Sequence, residues 1–85
     1  RAPRTRVERS CRVEIAGEWR QARLLDVSRN GLKVDCVGEF AIGKPLTIVL
    51  DDQRELTGTV ANRNGRNVGV RLDIPLAVND PVFEG

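Results

Sequence analysis

Histidine, tyrosine and methionine are absent from the 85 residues, and the only aromatic side chains are Trp19, Phe40 and Phe83. Each shortage excludes something. Without histidine, Cys11 and Cys36 cannot complete a standard zinc site. No imidazole is available to activate Ser28 as a nucleophile, and Asp26 or an arginine is a poor substitute. Catalysis is therefore not expected, and neither is a metal or cofactor. So few aromatics are thin provision for a single-strand nucleic-acid barrel, which stacks bases on aromatic rings. They also leave the core to Val, Leu and Ile. No apolar run approaches the roughly 20 residues of a membrane-spanning helix, and no secretory leader is visible. Without a methionine, the chain is expected to continue upstream of Arg1.

Two cysteines sit among alternating apolar residues. Their plain reading is as small buried hydrophobes in a reducing, cytoplasmic setting; a disulfide is the alternative. The paired carboxylates Asp51 and Asp52 fall in "DDQR", where Asp serves the backbone of a turn.

The net charge is only +2, but it is unevenly spread. In "RAPRTRVERSCR", Arg1, Arg4, Arg6, Arg9 and Arg12 stand against Glu8 alone, a local charge of +4, so the other 73 residues carry −2. All five cations are arginine, whose planar fork pairs in two-point fashion and stacks on rings. An arm over residues 1–9 with few apolar side chains is expected to be flexible when free. A slightly acidic remainder disfavours nucleic acid as the partner.

From Cys11 onward the apolar residues recur every second position. Cys11, Val13 and Ile15 read as one strand, and "WRQARLLDV" as a second, with Leu25 and Val27 on one face and Ala22 and Leu24 on the other. Leu32, Val34 and Cys36 read as a third. "LTIVL", "ELTGTVA" and "NVGVRL" complete six. The last two are joined by "NRNGR". A two-residue Asn64-Gly65 turn would put Val60 and Val70 on opposite faces. A three-residue loop, Arg63-Asn64-Gly65, pairs Val60 with Val68, Gly58 with Val70 and Leu56 with Leu72, and is the expected form, with Gly65 left-handed. Gly58 suggests a bulge or bend. Short strands with turns every 8–12 residues predict an all-β domain over residues 10–74. A closed six-stranded antiparallel barrel is favoured over a sandwich, because closure removes exposed edges. In the tail, residues 75–85, Leu76, Val78 and Phe83 are expected to cover an open end.

"DVSRNG" lies between the second and third strands. Asp26 and Ser28, two apart on an extended chain, project to one face. Gly31 permits a positive φ or a close approach to the backbone. Taken alone, the three make a good turn, since Asp and Ser bond to nearby backbone N–H groups.

Together, the arginine arm, the following strand and Asp26-x-Ser28-x-x-Gly31 resemble the PilZ domain family, which bind the bacterial second messenger cyclic di-GMP. "IGKPLTIVL" and "NVGVRL" look like later strands of such domains, and the resemblance covers roughly residues 1–73. It implies a PilZ-type barrel in a bacterial, cytoplasmic receptor, and a ligand held by Arg4 and Arg6, then Arg1, with Asp26, Ser28 and Gly31 on the barrel. Arg9 and Arg12 are weaker candidates, and Arg29 is left between ligand and solvent. The family's arm reads R-x-x-x-R. Here no two arginines are four apart. Either a residue before Arg1 pairs with Arg4, or Arg6 takes the second place and Ala2 the first. The chemistry agrees with the resemblance. Guanine offers N7 and O6 to an arginine fork, two phosphates offer charge-assisted partners, and a carboxylate can accept from a donating guanine edge. The implied output is an arm ordered on the barrel and read by an effector protein or adjacent domain. A PilZ-like interaction domain without nucleotide, or a small nucleic-acid-binding barrel, are the alternatives.

Overall fold

A computed structural model describes residues 4–84. Six strands form among these residues: β1 (Thr5–Ile15), β2 (Glu18–Val27), β3 (Gly31–Asp35), β4 (Pro45–Leu50), β5 (Glu55–Asn64) and β6 (Asn67–Leu72). They close into one antiparallel barrel in the order β1-β2-β3-β6-β5-β4. The predicted barrel is therefore the observed one. Alternation supplies its inside: Val13, Leu24, Leu32, Val34, Ile48, Leu50, Val60 and Val68 are essentially inaccessible to solvent. Closure matters for a chain this short, because every strand gains two partners and one core takes the apolar residues of all six. Cys11 and Cys36 are buried and unbridged, as the plain reading had it.

Two bulges decide which residues face in. Between β2 and β3 the pairing runs Leu24 with Val34 and then Asp26 with Lys33, so Leu25 has no opposite number. The extra residue resets the alternation. Ala22, Leu24 and Val27 all point inward, which corrects the expected split of Leu25 with Val27 against Ala22 with Leu24.

The second bulge lies in the last hairpin. Asn64 pairs with Asn67 around a two-residue Gly65-Arg66 turn, Asn62 pairs with Gly69, and then Val60 pairs with Val70. The three-residue loop and the pairing of Val60 with Val68 are thus not formed. Ala61 is squeezed out instead, and this brings Val60 and Val70 to the same face without a longer loop. Gly65 does take the left-handed conformation, φ 63°. Gly58 makes no bulge. A Cβ there would lie 2.5 Å from the Arg71 carbonyl oxygen, so its role is to let β6 approach.

The arm is shorter than expected. Thr5 pairs with Val27 and Arg6 with Asp26 in the β1–β2 ladder, and Val7 is buried. Residues 5–9 therefore belong to the barrel, because one inward valine and a ladder with β2 are enough to hold them. Arg1 and Ala2 lie outside the described residues.

The tail ends in one 3-10 turn, Pro81–Glu84. Leu76 and Val82 are buried and Phe83 packs on the core, but Val78 is exposed. Val82 takes the covering role expected of Val78. It is placed by Asp80, which accepts the Val82 amide at 3.0 Å and a two-point hydrogen bond from Arg54 at 2.6 and 2.8 Å.

Candidate ligand-binding site

The corner between β2 and β3 is a tight turn. The Ser28 amide donates to the Gly31 carbonyl at 2.8 Å, and the Ser28 hydroxyl reaches the same oxygen at 3.3 Å. Ser28 is itself buried. Gly31 does not use a positive φ. It uses the other freedom of glycine: a Cβ at this position would sit 2.7 Å from the Val70 carbonyl oxygen. Behind the turn, Arg29 Nε donates to the Leu76 carbonyl at 2.9 Å, and the Leu76 amide returns a bond to the Arg29 carbonyl at 2.7 Å. Arg29 remains an exposed residue with a main-chain hydrogen-bond partner in the tail. It ties the turn to the tail.

Asp26 does not fold back onto its own turn. Its Oδ1 accepts from Arg4 Nη1 at 2.5 Å, and its Oδ2 lies 3.8 Å from Lys33 Nζ. The carboxylate is 16% exposed and the Arg4 side chain 57%. The arm therefore meets the motif across 22 residues of sequence. Such a pair contributes little to stability, because its cation is well solvated. It is a contact that a competing ligand can displace at small cost.

The other arginines divide. Arg6 stands opposite Asp26 in the ladder, on the outer side. Arg9 is turned away: it donates through Nε to Asp51 at 3.1 Å and lies 3.6 Å from Asp52. That hydrogen bond raises the Arg9 guanidinium further and holds Asp51 below the usual carboxylate range. Arg12 lies over the Trp19 ring, 5.3 Å from its centroid. Neither Arg9 nor Arg12 is directed at the motif. Asp51 and Asp52 thus do more than turn the chain, although Asp52 also accepts the Arg54 amide at 3.0 Å as a turn residue should.

A shallow groove of about 240 Å³ adjoins the motif. Arg4, Ser28 and Gly31 line it with Asn30, Asn62 and Arg71. Three of the expected site residues therefore share one depression, and Asp26 is held at its edge through Arg4. The sequence reading missed Asn30, Asn62 and Arg71. Alternation in "NVGVRL" marks Arg71 as outward-facing, but only the pairing of Gly31 with Arg71 brings β6 beside the motif. Among the described residues no cluster of three or more metal-ligating side chains forms, and no helix is long and apolar enough to cross a membrane.

A closed antiparallel barrel, entered beside an arginine that meets the Asp26 carboxylate next to an outer groove, defines the class: a small all-β barrel domain. The family model described as the PilZ domain matches residues 1–81, and the chain belongs to that family. Proteins of this family are in general cyclic di-GMP-binding domains rather than catalysts. A search of curated proteins finds no match.

Proposed function

We propose that this domain is a cytoplasmic bacterial receptor for cyclic di-GMP, and that the ligand enters where Arg4 now holds Asp26. The observation that carries the reading is that salt bridge, beside a groove lined by Ser28 and Gly31. In the free domain each charge neutralises the other. When the dinucleotide arrives, Asp26 accepts from the donating edge of a guanine. Arg4 is released to fork onto a guanine N7/O6 edge or a phosphate. Ser28 contributes its hydroxyl, and Gly31 keeps the wall low.

The groove is smaller than the roughly 300–1,000 Å³ of enclosed small-molecule pockets. A dinucleotide would overhang it; in this reading the chain ahead of β1, which carries Arg4, covers the remainder. Ordering the arm costs about 1–2 kcal/mol for each residue fixed, and the new position of the arm is what an effector protein or adjacent domain would read.

The test is calorimetric titration of cyclic di-GMP. Saturable binding in the wild type and its loss in Asp26→Ala are the expected results. The substitution leaves only the exposed Arg4 and Lys33 without their partner, so the fold should be nearly unaffected. Absence of heat at high ligand concentration would refute the reading and favour a PilZ-like interaction domain. Affinity for oligonucleotides that falls steeply with salt and ignores Asp26 would favour nucleic acid.

A further inference from the structure

The groove has a second cation that the arm does not supply. On β6, Val68, Val70 and Leu72 point into the barrel, so Asn67, Gly69 and Arg71 face out. Arg71 pairs with Gly31, and Gly69 with Lys33. Cross-strand partners share a face. The outer surface of the β3–β6 pair is therefore two glycines set diagonally between two cations. Neither glycine puts a side chain of its own into the groove, and the Asn62 amide lies against Gly69. Arg71 and Arg4 both line it, with Asn30 and Asn62, and no carboxylate is among the lining residues. Arg71 makes no ion pair among the described residues. Arg9, Arg20, Arg23, Arg54, Arg63 and Arg66 all have carboxylate partners. A rigid strand thus presents an uncommitted guanidinium to a depression rich in hydrogen-bond donors.

We propose that Arg71 is a phosphate-binding residue of this groove, acting from β6 alongside Arg4 from the chain entering β1. This deepens the receptor reading and rests on it for the identity of the ligand. A guanidinium holds a phosphate by two parallel hydrogen bonds, and the Asn62 amide lying over Gly69 offers a further N–H donor beside it. Arg4 reaches the site from the start of β1, while Arg71 is fixed by its ladder to β3. Arg71 therefore offers a pre-positioned contact to which the ligand can bind before Arg4 leaves Asp26. The asymmetry separates the two arginines: β6 holds one phosphate, and Arg4 meets the remainder of the ligand once it leaves Asp26.

The experiment compares wild type, Arg71→Ala, Gly69→Ala and Arg23→Ala. Arg23 pairs with Glu8 and lies outside the groove, so its substitution removes the same charge without touching the site. A Cβ at Gly69 would lie 2.5 Å from Asn62 Oδ1, so Gly69→Ala displaces that amide. Loss of a charged two-point contact should weaken cyclic di-GMP by about tenfold to a hundredfold in Arg71→Ala. Gly69→Ala should weaken it too, and Arg23→Ala should bind as wild type does. Wild-type affinity in Arg71→Ala overturns the proposal and leaves the receptor reading standing. An equal loss in Arg23→Ala also overturns it, since the effect is then net charge alone. If the wild type binds no cyclic di-GMP, the receptor reading falls, and inorganic pyrophosphate decides the rest by amide chemical shifts. Shifts at Gly31, Gly69 and Arg71 that vanish in Arg71→Ala uphold the anion site; their absence overturns it.

Discussion

Gly31→Ala is the perturbation that most sharply separates folding from binding at this site. The motif glycine pairs with Arg71 in the β3–β6 ladder. A methyl group there would meet the Val70 carbonyl oxygen at 2.7 Å, when ordinary contact begins at 3.4 Å. The obstacle is backbone in the middle of a ladder, so it cannot swing aside as a side chain does. Forced overpacking of this kind costs about 1–3 kcal/mol. Because φ is not positive at Gly31, the alanine also restricts the unfolded chain and returns about 0.4–1 kcal/mol. The net loss at the middle of both ranges is about 1.3 kcal/mol, which for a domain of this size lowers Tm by about 5–10 °C. Gly69→Ala is the internal control. Its methyl group meets only the exposed Asn62 amide, and its stability should change by less than about 0.5 kcal/mol. Thermal melting followed by circular dichroism measures both. A Gly31→Ala protein melting within about 2 °C of wild type would refute the close-approach argument. So would a Gly69→Ala protein that melts as low as Gly31→Ala. If the expected order holds, loss of ligand in a Gly31 variant is not by itself evidence of ligand contact.

Asp80 is held below the usual carboxylate range, chiefly by its hydrogen bond from Arg54. A depressed carboxylate stabilises the fold above its unfolded pKa, and the contribution disappears as pH falls through the folded value. Asp80→Asn should therefore lower Tm near neutral pH and differ less from wild type in acid. Melting curves at a series of pH values check this, and a difference that grows in acid would contradict it. The direct loss in Arg54→Ala is about 1 kcal/mol, because the Arg54 side chain is partly exposed. Its sign is local: residues 80–84 should lose amide protection before the barrel does, and uniform loss of protection would be the wrong outcome. Burial pushes the Cys11 thiol up to about 11 and raises Cys36 as well. Neither should react with iodoacetamide at pH 8 in the folded protein, and both should react on unfolding. Rapid native labelling followed by mass spectrometry would show that the barrel opens at that side.

Period-two alternation is a local property, and it suffices for six strands, a mostly aliphatic core and the burial of both cysteines. The charge of the arm and the turn closed by Ser28 and Gly31 are equally local, since each depends on residues a few positions apart. The bulges at Leu25 and Ala61 are not. Which residue leaves a ladder is settled by whether Val27 and Val60 find their inward partners on another strand, and no window on one strand contains that information. Strand order is non-local for the same reason. Closure of the barrel sets β3 against β6 and so carries Arg71 to Gly31, 40 positions away in the chain. It also commits Arg9 to Asp51 while leaving Arg4 to reach Asp26. The residue types that suit an anionic ligand are written in order along the chain; which of them face one another depends on how the strands twist and pair to close the core.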